Sequence, residues 1–290
     1  MNKALERLVE IIREESEGKG LSFMAKETLK NNDTVLHAIH VIKDWSSVGM
    51  VVYVDDILKA YVTGEIGGRQ AAKMFLERIP ESGGDNCEFE NEAEQFAKAI
   101  LQNKGTILEN VYASVINTRW NRELLKNTPY KPFLDLAVIY EVHSHDHSMS
   151  TRVTNEIMDH FDISVSELEE YAERNKRAYV ILDMAEVLPD AKQEAEFSMY
   201  ILTTADKFKG ASVLMHPEFF EKCAKVTGSD LVVVPSSINE VIVVPYDEKV
   251  GIDKITYMVQ MVNVTDLCVT DRLSDHVYFY KAGSNQITMP

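Results

Sequence analysis

Short polar links between short apolar segments, throughout the last third of the chain, limit the fold of this sequence more than any other feature. Segments typical of strands occur at 199–202, 211–214, 231–234, 240–244 and 277–280. Helical patterns separate them, one from Pro217 to the residue before Gly228 and one that places Ile252, Ile255, Val259 and Val262 on one face. Because parallel strands need long crossover connections, these links predict an antiparallel or mixed sheet carrying helices, in the order β-β-α-β-β-α-β.

The preceding part of the chain shows the same mixture of elements. Helical patterns occupy 5–12, 55–62 and 71–79, a hairpin is predicted from strands at 35–42 and 48–54, and further strands at 111–116 and 134–142. Ser164 and Glu167 form a capping-box pattern at the start of another helix. The fold class is therefore α+β with two lobes. Pro189 and the polar stretch 190–196 place the boundary near 185–197, giving lobes 1–190 and 191–290.

The charge balance excludes some classes of partner. The 290 residues include 46 acidic and 30 basic side chains, a formal net charge of −16. Such a surface repels nucleic-acid phosphates and anionic lipid, and no cluster of Lys or Arg interrupts it. Direct binding to nucleic acid or to a membrane is therefore not expected.

The N-terminus and the cysteines favour a cytoplasmic location. Residues 1–20 are broken by charges and do not have the apolar core of a signal peptide, and no segment approaches the roughly 20 apolar residues that span a bilayer. Cys87, Cys223 and Cys268 are far apart and form no CxxC pair, a pattern that fits a reducing compartment. Cys223 lies among apolar residues of a predicted helix, where we expect it to be buried.

Two long segments resemble a known family. They are NRELLKNTPYKPFLDLAVIYEV and KGASVLMHPEFFEKCAKVTGSDLVVVPSSINEVIVVP, the second followed by LSDHVYFY. With the strand, strand, helix opening, they resemble an uncharacterised domain-of-unknown-function family of clostridial-type gut bacteria, over nearly the whole chain. The resemblance implies a cytoplasmic bacterial protein and brings no activity with it. Its motifs are shape motifs, namely Gly210-Ala211, Gly228, the turn Pro235-Ser236-Ser237 with Glu240, and Leu273 to Val277.

The turn Pro235-Ser236-Ser237-Ile238-Asn239-Glu240 is the first candidate for chemistry. A hydrolase would use Ser236 or Ser237 as nucleophile, with Glu240 in support and a base such as His216 or His276 within reach. No GxSxG elbow or SxxK pattern is present. Family members often carry His where this chain has Asn239, which weakens a His-dependent function here. Pro, Ser and Asn also stabilise tight turns, and this structural interpretation is favoured.

The run His143-Ser144-His145-Asp146-His147 is the second candidate. In an extended chain alternate residues face the same way, so His143, His145 and His147 would converge. Imidazole is a good ligand for zinc, copper or nickel, and Asp146 or His160 would complete such a site. No HExxH pattern or second ligand cluster supports it, so the sequence favours the absence of a working metal site.

The third candidate is Leu273-Ser274-Asp275-His276. Adjacent residues of a strand face opposite sides, so Asp275 is not expected to orient His276 as in a catalytic triad. Ser274 and Asp275 are expected to cap the turn before the last strand.

The glycines of GEIGGR at 64–69 do not have the spacing of a phosphate loop and are predicted to end one helix and begin the next. No cofactor is predicted.

These patterns favour a non-enzymatic cytoplasmic binding or regulatory protein that acts through its surface on a protein partner. The alternatives from other classes are a hydrolase at Ser236, Ser237 and Glu240, and a metal site at His143, His145 and His147. A third alternative is an acidic decoy for a nucleic-acid-binding protein, suggested by the acidic run at 81–94. An exposed apolar patch would mark a partner surface.

Overall fold

The structure, a computed structural model, describes residues 2–44, 49–79, 85–187, 198–248 and 251–290. The chain forms two compact units. The N-terminal unit comprises residues 1–30 and 34–103, and the C-terminal unit comprises residues 31–33 and 104–290. The fold class is α+β, as predicted, and all the strand pairs of the described residues are antiparallel.

The N-terminal unit is a three-stranded meander with helices. Its strands are β1 (Leu21–Leu29), β2 (Val35–Lys43) and β3 (Met50–Tyr53), and its helices are α1 (Asn2–Glu15), α2 (Asp55–Thr63), α3 (Gly68–Leu76) and α4 (Asp85–Gln102). The strand order is β1-β2-β3. Leu5, Leu8 and Ile12 of α1 are fully buried in one cluster with Phe23 of β1 and Phe75 of α3. The predicted first helix and the predicted hairpin are both confirmed.

The glycines of GEIGGR separate two helices, as predicted. Gly64 follows α2 with φ of 80°, a left-handed conformation that glycine adopts without steric cost. Gly67 is extended and precedes the first residue of α3. The segment therefore forms a helix end followed by a helix start.

A four-stranded sheet begins the C-terminal unit. Its strands are β4 (Val111–Asn117), β5 (Tyr130–Phe133), β6 (Leu136–His143) and β7 (Ser150–Arg152). The order is β4-β6-β5, and β7 also pairs with β6. Every residue of β6 is buried, and the strand predicted at 134–142 is confirmed.

A six-stranded sheet completes the C-terminal unit. Its strands are β8 (Tyr179–Asp183), β9 (Tyr200–Thr204), β10 (Leu231–Val234), β11 (Glu240–Pro245), β12 (Tyr278–Tyr280) and β13 (Ile287–Thr288). The order is β13-β12-β10-β11-β9-β8. The helices of the unit are α5 (Lys104–Glu109), α6 (Asn155–Phe161), α7 (Val165–Arg174), α8 (Met184–Val187), α9 (Pro217–Thr227) and α10 (Ile252–Thr265). Val232, Val244, Val259 and Val277 form a cluster that joins α10 to the sheet.

The predicted division at residue 190/191 does not match the compact units, which divide at 103/104. Residues 188–197, most of the predicted boundary, lie outside the described residues. The strands before and after this segment, β8 and β9, pair with each other, so one sheet contains residues from both predicted lobes. Polar composition alone does not distinguish a linker between domains from a connection between paired strands.

The strand predicted at 211–214 is wrong. Residues 210–215 form a 3₁₀ helix, and the element order of the C-terminal segment changes accordingly. Ala211, Val213 and Leu214 are buried, so the segment has the apolar character of a core strand. A short apolar run has no periodicity that separates the two conformations.

None of the helices in the described ranges combines the length and the apolar character needed to cross a bilayer.

Candidate functional site

The turn from Pro235 to Glu240 holds a neighbouring loop in place. Ser237 Oγ accepts a hydrogen bond from the backbone N–H of Asn239 at 3.1 Å, and the backbone N–H of Ser237 donates to the Glu240 carbonyl at 3.2 Å. Asn239 Oδ1 accepts from the backbone N–H of Lys209 at 3.0 Å, and its carbonyl accepts from Thr203 Oγ1 at 2.7 Å. These bonds are turn chemistry, and they fix the backbone position of Lys209.

Gly210 makes this arrangement possible. A Cβ atom at this position would lie 2.6 Å from the backbone nitrogen of Thr204 and closer still to the Asn239 carbonyl oxygen. Lys209 itself has φ of 55°, in the left-handed region. The Gly210 motif and the Pro235–Glu240 turn, which are distant in sequence, therefore form one structural assembly around Lys209.

The Lys209 side chain reaches a buried carboxylate on the four-stranded sheet. Its Nζ atom lies 3.3 Å from Glu141 Oε1, and Ser114 Oγ donates to Glu141 Oε2 at 2.6 Å. Glu141 is 7% exposed. Burial alone raises the pKa of Glu141, but the charge of Lys209 and the hydrogen bond from Ser114 outweigh it and hold the pKa below its ordinary value. Glu141 and Lys209 are thus a buried ion pair.

Two of the three candidate metal ligands lie beside this ion pair. The rings of His143 and His147 have centroids 5.5 Å apart, and both contact the ring of Tyr112 edge to face. Burial lowers the pKa of His143 to about 4, so its imidazole is neutral at physiological pH. The Nδ1 atoms of both histidines are buried and have no hydrogen-bond partner in the part of the chain that the structure describes.

The extended conformation required by the metal hypothesis is not present. β6 ends at His143, and residues 144–149 form a turn in which His147 has φ of 60° and His145 is exposed. Asp146 accepts hydrogen bonds from Ser144 and Ser148, which lower its pKa to about 2. His160 contacts the ring of Phe161 edge to face in α6. In the described ranges no three side chains of His, Cys, Asp or Glu are arranged to hold a metal ion.

A serine, a histidine and a tyrosine converge on Asp135, which the sequence analysis did not single out. Asp135 Oδ2 accepts from Ser274 Oγ at 2.7 Å and lies 3.2 Å from His276 Nδ1, and Oδ1 accepts from Tyr278 Oη at 2.6 Å. Because Ser274 and His276 both bind the same carboxylate, the imidazole does not activate the hydroxyl, and the triad geometry is not formed. Asp135 is 139 residues from Ser274, and no sequence signal links the two.

Ser274 and Asp275 have different roles in the segment before β12. Ser274 Oγ accepts from the backbone N–H of His276 at 3.0 Å, as a capping side chain does. Asp275 Oδ1 accepts from Asn263 Nδ2 at 2.8 Å and does not orient His276. The group therefore joins the segment before β12 to Asp135 and to α10.

The outer side of α10 is largely apolar, and no described residue covers it. Its inner side packs through Ile252, Ile255 and Val259, and Asn263 is buried with a hydrogen bond to the Ser274 carbonyl. Five large apolar side chains on α10 are exposed, and we call them the α10 face: Tyr257 (63%), Met258 (57%), Met261 (45%), Val262 (45%) and Val264 (71%). Val262, which the sequence analysis assigned to the inner side, is thus exposed. No charged residue occurs from Ile255 to Thr265.

A family model covers almost the whole chain. The model of a family of unknown function, DUF5688, matches residues 1–282. The chain belongs to this family. No curated protein and no solved structure matched the chain.

In this member of DUF5688, the motifs that carry the family resemblance have structural roles. Gly210 and the Pro235–Glu240 turn position Lys209, Gly228 ends α9 with φ of 66°, and the segment 273–277 binds Asp135. The exposure of the α10 face had no sequence signal, because the same apolar residues would suit a helix buried on both sides.

Proposed function

We propose that the protein is a non-enzymatic binding protein and that a protein partner docks on the α10 face. The observation that carries the proposal is the exposure of five large apolar side chains on one helix. Tyr257 and Met261, and likewise Met258 and Val262, are four residues apart and lie one turn from each other. Contiguous exposed apolar surface of this kind is typical of interaction sites.

The composition of the α10 face suits an interface. Tyr and Met are enriched at protein interfaces, and Met adapts its shape to its partner. Full burial of such a side chain contributes about 1.5–3 kcal/mol, so five partly exposed ones supply on the order of 5 kcal/mol. Association costs about 4–15 kcal/mol. The α10 face is therefore an anchor, and polar contacts around it must contribute the remainder.

Charge favours a basic partner over a second copy of the chain. The chain has a net charge of −16, so two copies repel each other at long range. Asp253 and Lys254 at the start of α10 and Asp266 after its end are all exposed, which leaves one negative charge in excess at the ends of the helix. The partner we propose presents an apolar groove or helix face with Lys and Arg at its rim, which complements this charge.

Site-specific photo-crosslinking tests the proposal. A benzophenone amino acid would replace Tyr257 in cells that make the protein naturally, and Tyr130, exposed on β5, would serve as the control position. We expect one discrete adduct with a basic protein from position 257 only. An adduct with a second copy, or equal adducts from both positions, would contradict the proposal.

A matched pair of valines then tests the surface with the purified partner. Val264 on α10 and Val226 on α9 are 71% and 72% exposed, so either Val→Lys substitution leaves the core intact. We expect Val264→Lys to weaken binding at least about 10-fold, about 1.4 kcal/mol, and Val226→Lys to leave it unchanged. Because the rim contacts are ionic, binding should also weaken between 0.05 M and 0.5 M salt.

The catalytic alternatives have less support. Among the described residues, no histidine hydrogen-bonds to Ser236 or Ser237, and Ser237 Oγ is engaged by the backbone of Asn239. The side chains at 81–91, most of the acidic run of the decoy hypothesis, lie outside the described residues.

A cytoplasmic location belongs to the proposal. The free thiols of Cys223, which is buried as expected, and of Cys268 support it.

A further inference from the structure

The C-terminal unit contains a cavity that the proposed partner surface does not use. Its volume is about 290 Å³, at the lower end of the range of small-molecule sites. Its walls come from β4, β5, β6 and α7, from the start of β8 and from the end of the 3₁₀ helix at 210–215.

Tyr140 of β6 lines this cavity and carries a hydrogen-bonding group without a partner among the described residues. The residue is 1% exposed, and its hydroxyl is buried with no hydrogen-bond partner among the described residues. Burial raises the pKa of Tyr140 to about 12, so the hydroxyl is protonated and available as a donor. A buried donor without a partner costs about 1–3 kcal/mol, which phenylalanine would avoid. The chain therefore keeps a group here that a bound molecule would satisfy.

Two further polar groups of the wall, Tyr179 and His216, are held in their neutral forms by burial. Tyr179 Oη hydrogen-bonds Ser212 Oγ at 2.8 Å, and burial raises the pKa of Tyr179 to about 12. Burial lowers the pKa of His216, whose ring lies 4.9 Å from that of Tyr179. The charged residues of the wall are already paired: Lys131 with Glu169, Lys176 with Glu173 and Glu218, and the buried side chain of Arg177 with Asp206 and the Phe208 carbonyl. A charged group deep in the cavity would therefore find no counter-ion that is not already engaged.

We infer that the cavity binds a small uncharged ring compound whose hydroxyl or carbonyl oxygen accepts a hydrogen bond from Tyr140 Oη. Tyr112, Phe133 and Tyr179 supply aromatic surface to the ring. A cavity of about 150 Å³ accepts benzene, so this one suits a single substituted ring.

Calorimetric titration of the full chain with three related probes tests this inference. The probes are 4-methylphenol, toluene, which has no hydroxyl, and 4-methylbenzoate, which is charged. We expect 4-methylphenol to bind about 3- to 10-fold more tightly than toluene, the range for one net hydrogen bond. We expect 4-methylbenzoate to bind more weakly than either. Failure of all three to bind at millimolar concentration would overturn the inference, and so would equal affinities for 4-methylphenol and toluene.

Three variants locate the site. Tyr140→Phe keeps the ring and should abolish the preference for 4-methylphenol over toluene. Ala113 pairs with Tyr140 across β4 and β6 and lines the cavity, so Ala113→Leu should fill it and reduce binding of every probe. Tyr130→Phe, on the same sheet but outside the cavity wall, should change nothing. If Tyr140→Phe still binds 4-methylphenol more tightly than toluene, Tyr140 is not the hydrogen-bond donor. This conclusion holds even if Ala113→Leu does not fold.

Discussion

At the scale of single residues, Lys209 and Glu141 show how distant motifs serve one interaction. The turn at 235–240 and the close packing at Gly210 set the backbone, and the side chain then reaches a carboxylate that has almost no contact with water. Sequence patterns identified the turn and the glycine but not their purpose, because nothing in the sequence relates them to Glu141. The sequence did not identify Asp135 for the same reason, because its hydrogen-bond partners lie far away in the chain.

Removal of Lys209 should destabilise the C-terminal unit strongly. Lys209→Met removes the closest counter-charge of the buried Glu141 and leaves only the charge of Arg152, so we expect the free energy of unfolding to fall by about 3 kcal/mol in urea denaturation. Lys207→Met, at an exposed position two residues away, is the control and should have an effect below about 0.5 kcal/mol. Combining Lys209→Met with Glu141→Gln should recover part of the loss. Similar losses in the two lysine variants would show that the ion pair has no structural role.

His143 should make stability dependent on pH. Its folded pKa, about 4, is below the ordinary value of 6.5, so the unfolded chain binds a proton between these values that the folded chain excludes. Stability therefore falls as pH falls through this window, by about 2 kcal/mol at pH 5 from this group. His143→Phe keeps a ring against Tyr112 and should reduce the difference in unfolding free energy between pH 7 and pH 5. The exposed His145→Phe should preserve that difference, and an unchanged difference in His143→Phe would refute the prediction.

At the scale of elements, the best predictions came where local chemistry determines the structure. The capping box of α7 forms as expected, with Glu167 N–H donating to Ser164 Oγ at 3.1 Å and Ser164 N–H to the Glu167 carboxylate at 2.9 Å. β1 was not predicted because apolar and polar residues do not alternate in its sequence. Phe23 is buried, but its apolar neighbour Met24 occupies an exposed position. The 3₁₀ helix was mistaken for a strand because tertiary packing, and not periodicity, sets its conformation.

Loss of the cap should weaken α7 by a modest amount. Ser164→Ala removes the acceptor of the first turn and should lower the free energy of unfolding by about 1 kcal/mol. Ser166→Ala, exposed two residues further on, should be neutral or slightly stabilising because alanine has the higher helix propensity. Denaturant unfolding of both variants measures the difference. If the two alanine variants are equally stable, the capping box has no energetic role.

At the scale of the whole molecule, the segment 31–33 belongs to the unit formed by residues far downstream. Asn32 donates to the carbonyls of Val269 and Arg272, and Asp33 accepts from the backbone N–H groups of Glu123 and Leu124. The C-terminal unit is therefore built from two separate stretches of sequence, with residues of the N-terminal unit between them. Sequence analysis could not foresee this, because three polar residues between two strands are typical of an ordinary turn.

A fragment that starts at residue 104 should fold less stably than the same unit within the full chain. It loses the hydrogen bonds of Asn32 and Asp33, and we expect a loss of about 2 kcal/mol or more. Asn32→Ala in the full chain should show part of the same effect, whereas Lys30→Ala, two residues earlier, should not. Hydrogen exchange at Glu123 and Leu124 reports on the unit directly. Equal protection there in the fragment and in the full chain would disprove the dependence.

The segment 31–33 also has a consequence for the history of the gene. Recombination at residue 103/104 would separate the C-terminal unit from three of its own residues, so neither half could be exchanged freely with another protein. Inheritance of the two units as a single block is the expected result, in keeping with a family model that extends from residue 1 to residue 282 without a break. During synthesis, residues 31–33 leave the ribosome long before Val269 and Arg272, and the unit cannot close until these distant residues have also been made.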